Sequence, residues 1–271
     1  MKTPPILFDR ALHRARLQRA ARQFNNTAFL KRRVARDVAE RVALIMKRFD
    51  RAVDLGARDG AFARALDEIG ARDQVDFLVE TDLSAAMLAG RDTTAIVADE
   101  ERLPFGPASV DLIVSSLALH WTNDLPGVLI QARKALRPEG VFIASMLGGS
   151  TLTELRQSLL QAETELSGGA GPRVSPFAGA DDLASLLQRA GFRLPVADCE
   201  RVTVRYRNPL RLLSDLRGMG ETNVLTDRPR SPLGRAVLAR ALDIYVERFA
   251  DSDGAALATF EVVTATGWAS G

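Results

Sequence analysis

The sequence has 271 residues, of which 46% are hydrophobic and 26% are charged, and these proportions exclude a disordered, collagen-like or coiled-coil chain. The single cysteine, Cys199, and the two histidines exclude an internal disulfide and a zinc site of Cys/His spacing. The formal net charge is only +2, but it is distributed unevenly along the chain.

The first fifty residues are strongly basic. They carry 13 Lys or Arg against 4 Asp or Glu, a net charge of +9, so the rest of the chain carries −7. Such a segment is typical of binding to nucleic acid, an acidic protein or a membrane surface, and of transit peptides. The segment lacks serine and has few aromatic residues, which argues against a transit peptide and against single-stranded nucleic acid. We expect helices over residues 9–23 and 29–49 with arginines on solvated faces, and peripheral membrane contact stays open as an alternative.

No apolar run approaches the roughly 20 residues that span a bilayer, and the first ten residues lack the apolar block of a secretory signal. We therefore expect a soluble protein of the bacterial cytoplasm, or of the mitochondrial matrix if the host is a eukaryote.

From residue 51 onward, short β-rich runs alternate with helical stretches, which predicts a parallel sheet covered by helices on both faces. The predicted strands are residues 52–55, 75–80, 95–98, 110–116 and 140–146, and the predicted helices are 61–69, 84–89 and 125–136. Further along we predict helices over 151–166, 180–190, 210–219 and 231–249, a loop over 167–176, an extended pair over 191–207 and a last strand over 259–268. This pattern divides the chain into a basic helical segment (1–50), an α/β core (51–147) and a part that completes the sheet (148–271).

A glycine-containing turn joins the first predicted strand to the helix that follows. Gly56 and Gly60 allow backbone N–H groups to approach a ligand, and the helix N-terminus favours a phosphate or carboxylate. The turn, which follows Asp54, lacks the middle glycine of a dinucleotide fingerprint and the Gly-Lys-Ser/Thr of a Walker loop. Taken alone, it is equally a strand-to-helix turn of any α/β domain.

Acidic residues follow the next two predicted strands. Asp82, beside Leu83, stands where a carboxylate can accept the hydroxyl protons of a ribose, and Asp99 and Glu100 follow the third strand. Because open α/β sheets bind ligands at the carboxyl edge of their strands, these residues predict one ligand site.

This series of motifs resembles the class I S-adenosylmethionine-dependent methyltransferases: Asp-Leu-Gly, Asp-Leu-Ser, Asp-Glu before Leu-Pro-Phe, and Leu-Arg-Pro-Glu-Gly. The resemblance implies an α/β fold with a Rossmann-like doubly wound sheet, mostly parallel with an antiparallel C-terminal strand, preceded here by the helical N-terminal segment. It also implies S-adenosylmethionine as the cofactor, with Gly56 and Gly60 at the methionine part, Asp82 at the ribose and Asp99 at the adenine amino group. The implied cofactor-binding residues are Asp54, Gly56, Arg58, Gly60, Asp82, Leu83, Asp99, Glu100 and Ser115.

Four further segments, residues 115–126, 148–156, 175–177 and 215–223, resemble the family of assembly factor 5 of mitochondrial complex I. The resemblance runs from about residue 8 to residue 268. It implies hydroxylation of an arginine on an iron–sulfur subunit of the respiratory NADH:quinone oxidoreductase. A sister family, the biotin-pathway O-methyltransferases that esterify a malonyl carrier protein, shares the cofactor motifs.

The chain departs from the family at Arg58, where the Gly-X-Gly-X-Gly pattern has its central glycine. The arginine either obstructs the methionine part of the cofactor or grips its carboxylate in a charge-assisted pair. The residues leave both alternatives open.

The acceptor-side candidates follow the fourth strand. His120 is a candidate catalytic base and Trp121 a surface on which a guanidinium could stack. A histidine or tryptophan just after a strand more often has a structural role, and that alternative stays open. Asp124, Glu163 and Glu221 are candidates to pair with a substrate arginine.

We predict no metal site, because a two-histidine, one-carboxylate site would need His13 beside His120, and His13 lies in the basic segment outside the predicted sheet. Three functions stay open: a hydroxylase of a respiratory-complex subunit, a conventional methyltransferase for a carrier protein or small molecule, and a non-catalytic assembly chaperone. We expect no nucleic-acid partner.

Overall fold

Seven strands and eight α-helices form the part of the chain that the computed structural model describes, residues 6–270; residues 1–5 of the basic segment and residue 271 lie outside it. The strands are β1 Phe49–Leu55, β2 Val75–Asp82, β3 Thr94–Val97, β4 Val110–Ser116, β5 Leu136–Leu147, β6 Phe192–Tyr206 and β7 Ala256–Ala269. The helices are α1 Arg10–Ala20, α2 Phe29–Ala43, α3 Ala61–Glu68, α4 Leu125–Ala135, α5 Thr153–Ser167, α6 Ala180–Arg189, α7 Pro209–Met219 and α8 Arg235–Phe249.

All seven strands belong to one sheet in the order β3-β2-β1-β4-β5-β7-β6. Strands β1 to β5 pair in parallel, and β7 runs antiparallel to both β5 and β6. The predicted fold is thereby confirmed. Because the chain order reverses between β1 and β4, the crevice for a ligand lies at the carboxyl ends of these two strands.

The core lies on both faces of the sheet, and strand β4 shows how the sequence builds it. Leu112 and Val114 pack on the face covered by α2 and α3, while Ile113, between them, packs on the face covered by α4 and α6. Since alternate residues of a strand point to opposite faces, a run of consecutive apolar residues, here 112–114, is needed wherever both faces pack against helices.

The N-terminal helices occupy different places. Helix α2 packs against α3 on the sheet, whereas α1 packs against α7 and the turn that follows β2. On α2, Arg33 is exposed as predicted and pairs with Glu200 of β6 at 2.5 Å. The positive charge of the segment is therefore met in part by the acidic body of the same chain. No helix within residues 6–270 has the length and apolar character needed to cross a membrane.

Two predicted elements are wrong. The helix predicted over 84–89 is only a 3-10 turn, Ala85–Met87, since Gly90 at φ +72° ends the segment at once. The extended pair predicted over 191–207 is the single strand β6, which pairs with β7 along its whole length. Its register skips Leu194 and Pro195, so that the proline, which has no N–H to donate, lies in a bulge.

Several predicted ends also shift. Helix α8 begins at Arg235 rather than at residue 231 because Pro232 and Gly234 precede it. Helix α2 ends at Ala43 instead of residue 49, where β1 already begins. The last strand extends beyond its predicted bounds, from Ala256 to Ala269.

Candidate active site

The carboxyl ends of β1, β2 and β4 meet at one edge of the sheet. Asp54 in β1 lies opposite Glu80 in β2 and Val114 in β4. The predicted cofactor residues lie on these strands, in the loops that leave them, or, for Asp99 and Glu100, in the loop that follows the neighbouring strand β3. The structure thus brings together Asp54, Gly56, Arg58, Gly60, Asp82, Leu83, Asp99, Glu100 and Ser115, whose Oγ donates to the Leu55 carbonyl at 2.8 Å.

Arg58 lies inside this edge and is bound to Asp82. The two side chains are 1% and 0% exposed, and Arg58 Nη1 donates to Asp82 Oδ2 at 2.7 Å. The Arg58 backbone N–H donates to the same oxygen at 3.1 Å, and the Ser84 N–H donates to Asp82 Oδ1 at 2.9 Å. Burial alone would lower the pKa of Arg58, but the carboxylates of Asp82 and Glu100 raise it. Both carboxylate oxygens of Asp82, the residue predicted to bind the ribose, therefore already accept hydrogen bonds from the protein.

Arg10, the first residue of α1, binds the second acidic pair. Its Nη2 lies 2.5 Å from Asp99 Oδ1 and also donates to Glu100 Oε2. Its Nη1 donates to the backbone carbonyl of Trp121 at 3.2 Å. Burial raises the pKa of Glu100, and the charge of Arg10 opposes that rise. One guanidinium thus connects α1 to the predicted adenine side and to the predicted acceptor side.

Lys31 of α2 holds the glycine turn in place. Its Nζ donates to the carbonyl of Gly56 at 2.8 Å and to the carbonyl of Ser116, which joins the ends of β1 and β4. Burial lowers the pKa of Lys31, while the charge of Asp54 opposes this. In the part of the chain that the structure describes, nothing donates a hydrogen bond to either carboxyl oxygen of Asp54, and burial raises its pKa to about 7.

The arrangement does not accommodate S-adenosylmethionine. Asp82, Asp99 and Glu100 accept hydrogen bonds from the chain's own arginines, and α1 packs over Leu83. The glycine turn offers no empty cradle either, because a Cβ on Gly60 would lie 2.1 Å from Arg91 Nη1. The residues of a nucleoside site are together, but they do not fit the cofactor in this conformation.

A cavity of about 250 Å³ opens beside Arg58 and Lys31, on the side of the predicted acceptor. Apolar walls with a few convergent polar groups are typical of a small-ligand site. Its apolar lining includes Leu117, Leu147, Leu152, Leu155, Leu159, Leu213, Leu216, Met219, Val174, Phe177 and Phe260.

Glu221, just after α7, is the carboxylate that lines this cavity. Its Oε2 accepts a hydrogen bond from Trp121 Nε1 at 2.7 Å and lies 3.1 Å from His120 Nε2. Phe177 packs edge-on against both rings, with centroid distances of 5.4 Å to His120 and 5.9 Å to Trp121. Both hydrogen bonds use one oxygen, and no group within residues 6–270 donates to Oε1. The cavity therefore contains a fixed carboxylate with an unused acceptor beside an indole.

Comparisons with known proteins agree with this architecture. The family model "Methyltransferase domain" matches residues 53–144. The human mitochondrial arginine-hydroxylase NDUFAF5 is 42% identical over 266 residues, which cover 97% of this chain and 76% of that protein. The chain belongs to the arginine-hydroxylase NDUFAF5 family. It is an enzyme of the S-adenosylmethionine-dependent methyltransferase superfamily.

This chain is also similar to two proteins outside the NDUFAF5 family. The malonyl-[acyl-carrier protein] O-methyltransferase of a Methylovorus strain is 32% identical over 282 residues, covering 99% of this chain and 92% of that protein. A methyltransferase structure from Bacillus halodurans superposes with a TM-score of 0.58 at 13% identity, covering 87% of this chain and 99% of that one. At 13% identity, the similarity to the Bacillus halodurans structure shows a shared fold alone.

This NDUFAF5-family chain uses the other predicted carboxylates structurally. Asp124 caps α4 by accepting from the Gly127 N–H at 2.9 Å. Glu163 pairs with Arg173 at 2.6 Å. Of the three carboxylates proposed to receive a substrate arginine, Glu221 is therefore the one with both a place in the cavity and a free oxygen.

The expectation that His13 lies away from His120 is wrong. Helix α1 brings His13 to 5.3 Å from the Trp121 ring, and His120 lies 5.2 Å from the same ring. Burial, together with the charges of Arg58 and Arg10, holds the pKa of His13 well below its usual range. Within residues 6–270 no group of three or more His, Cys, Asp or Glu side chains could hold a metal ion.

Arg10 and Lys31 belong to the site, although neither is among the predicted site residues. Lys31 stands one turn before Val34 and Ala35 on the buried face of α2, and a lysine within an apolar helical period is a usable signal. Arg10 meets Asp99 across 89 residues of sequence, so no local pattern indicates the pairing.

Proposed function

We propose that this chain hydroxylates an arginine side chain on an iron–sulfur subunit of the respiratory NADH:quinone oxidoreductase during assembly of that complex. The observation that carries the proposal is the carboxylate of Glu221, which Trp121 holds at the wall of a largely aliphatic cavity. The family adds support, since its human member is named an arginine-hydroxylase.

Lys31, Arg58, Arg173 and Arg217 also line the cavity, and Glu221 is the lining group whose charge complements a guanidinium. The free Oε1 of Glu221 accepts a charge-assisted hydrogen bond from the guanidinium. The Trp121 indole holds that carboxylate in place through Nε1, and its ring becomes a stacking surface for the guanidinium only if the residues packed on it move. The aliphatic stem of the arginine packs against the leucines of the wall, as long cationic side chains do at apolar surfaces. In this binding mode His120 is a positioning residue, because its contact is with Glu221.

The proposed reaction replaces a C–H bond of the arginine with a C–OH bond. Dioxygen supplies the oxygen atom of the product, and two electrons with two protons convert its other atom to water. The electrons come from a reductant outside this chain. The residues described above bind and orient the arginine, and the aliphatic walls exclude water around it.

The cofactor, partner and compartment complete the proposal. We propose S-adenosylmethionine as the cofactor, bound at the edge that contains Asp82 and Asp99 once Arg58 and Arg10 have released these carboxylates. The methyltransferase domain supports this assignment. The basic segment 10–48 and the loop 167–176 are proposed to dock the partner subunit. The proposed compartment is the bacterial cytoplasm, or the mitochondrial matrix in a eukaryote.

One observation favours a second candidate, methyl transfer to a carboxylate on a carrier protein. Arg58 lines the cavity, and its buried Nη2 has no hydrogen-bond partner among residues 6–270. A carboxylate would satisfy it, and the relative from Methylovorus is named a malonyl-[acyl-carrier protein] O-methyltransferase.

Peptide mass spectrometry of the iron–sulfur subunit, from cells with and without this gene, separates the candidates. Loss of one oxygen atom from an arginine in the deletion strain is the expected result. Loss of a methylene unit instead would assign methyl transfer to the same partner. A subunit that is unmodified in both strains would contradict the proposal and favour carrier-protein methylation or a non-catalytic chaperone.

A further inference from the structure

Two arginines of this chain occupy the carboxylates that a nucleoside would need. The Arg58 guanidinium donates a hydrogen bond to the Asp82 carboxylate at 2.7 Å. The Arg10 guanidinium donates to Asp99 at 2.5 Å and also to Glu100. We call Arg10 and Arg58 with these three carboxylates the arginine latch.

The inner half of the latch is deeply buried. Arg58 and Asp82 are 1% and 0% exposed, and Asp82 accepts three hydrogen bonds from Arg58 and Ser84. A ribose cannot donate both hydroxyl protons to this carboxylate unless the guanidinium leaves. Removing one partner of a buried ion pair is costly unless another donor replaces it at once.

The outer half of the latch lies on α1. Arg10 joins Asp99 and Glu100 to the backbone carbonyl of Trp121. Behind it, Leu17 packs with Leu83 in one apolar cluster, so α1 covers the turn that follows β2. Displacement of Arg10 by an adenine therefore acts directly on the first turn of α1.

The same helix covers the acceptor side. His13 lies 5.3 Å from the Trp121 ring, and Phe8, just before the helix, packs edge-on at 5.3 Å. A movement of α1 that frees Asp99 therefore also uncovers Trp121. One element is shared by both halves of the site, which is the structural requirement for coupling them.

We propose that the arginine latch holds the nucleoside site closed, and that S-adenosylmethionine binds only when Arg58 leaves Asp82 and α1 moves with Arg10. Arg58, which replaces a glycine of the family pattern, is the residue that weakens cofactor affinity in this chain. The inference rests on the cofactor assigned in the proposed function and is independent of what happens to the acceptor.

Calorimetric titration of the full chain with S-adenosylhomocysteine tests the latch. Arg58→Gly removes the inner guanidinium and relieves a non-glycine residue at φ +54°, and we expect affinity to rise about tenfold or more. Ala108→Gly is the matched control, because Ala108 also has a positive φ (+47°) but lies on an exposed loop away from these carboxylates. The affinity of this variant for S-adenosylhomocysteine should equal that of the wild type. Arg10→Gln, at the less buried end, should also bind more tightly and serves if Arg58→Gly does not fold.

Hydrogen exchange supplies the second readout. In the wild type, saturating S-adenosylhomocysteine should speed amide exchange in residues 10–20. The latch is contradicted if the wild type binds as tightly as both variants, or if exchange in α1 stays unchanged at saturation. If neither the wild type nor the variants bind, the proposed cofactor fails with the latch, and the arginine modification is still decided separately by the mass of the subunit.

Discussion

Glu221→Gln is the substitution that most directly tests arginine binding. The glutamine keeps the size of the side chain and an oxygen that accepts from Trp121 Nε1, now 2.7 Å from Glu221 Oε2. It removes the negative charge that a guanidinium would pair with. The cavity should therefore keep its shape and lose the carboxylate among its lining residues.

The size of the effect follows from the exposure of the carboxylate. Hydrogen bonds to charged groups contribute about 1.5–3 kcal/mol when buried, and the Glu221 side chain is 14% exposed. We take the lower half of this range because water reaches part of the group. An arginine peptide should then bind about 10- to 40-fold more weakly to the variant, at ~1.4 kcal/mol for each factor of ten.

The assay is calorimetric titration with a peptide of the iron–sulfur subunit that contains the arginine, which requires neither oxidant nor reductant. A second peptide with glutamine in place of the arginine measures binding that does not depend on the guanidinium. Asp124→Asn is the control, because asparagine caps a helix as well as aspartate and Asp124 is engaged with Gly127. Equal affinity of the wild type and Glu221→Gln for the arginine peptide would refute the reasoning.

Three further predictions concern the site and its support. Gly60→Ala should lower the free energy of unfolding by about 2–4 kcal/mol. A φ of +70° disfavours a side chain, and the new Cβ would displace the Arg91 guanidinium, which donates to the carbonyls of Arg58, Asp59 and Met87. Gly254→Ala is the control, because Gly254 has φ +77° and no atom near the new Cβ. This variant should lower the free energy of unfolding only by the backbone strain of about 1–2 kcal/mol, and urea titration of both variants measures the difference. The Asp54 pKa is raised from 3.8 to about 7, so the folded state binds the extra proton in this window. The stability of the wild type relative to Asp54→Asn should fall as pH rises from about 4 to 7, by up to ~1.4 kcal/mol per unit, and parallel stability curves would contradict this. His120→Ala should weaken arginine-peptide binding about threefold to tenfold, through loss of one hydrogen bond to Glu221, whereas a lower Tm with unchanged binding would assign His120 a purely structural role.

The parallel half of the fold was largely predictable because strands β1, β2 and β4 are short runs rich in apolar residues and separated by polar turns. Strand β4 was predicted at its observed bounds, Val110–Ser116, since a run buried on both faces stands out from its surroundings. The failures occurred where a local signal competed with tertiary pairing. Pro195 indicates a turn locally, but the long partner β7 accommodates it as a bulge in one strand.

The site was predictable in part for the same reason. Asp82, Asp99 and Glu100 follow strands directly, and parallel strands bring their carboxyl ends to one edge. The contacts of Arg58 could not be predicted, because its guanidinium is directed by burial and by the position of Asp82 rather than by neighbours in sequence. The role of α1 depends likewise on packing between distant segments.

The most direct test of arginine modification in the Glu221 cavity is the modified fraction of the iron–sulfur subunit in a deletion strain that expresses the wild-type chain, Glu221→Gln or Asp124→Asn. The subunit is digested, and the oxygen-bearing arginine peptide is quantified against its unmodified form. We predict full restoration by the wild type and by Asp124→Asn, and little or none by Glu221→Gln present at equal abundance. Restoration by Glu221→Gln to the wild-type level would contradict the account.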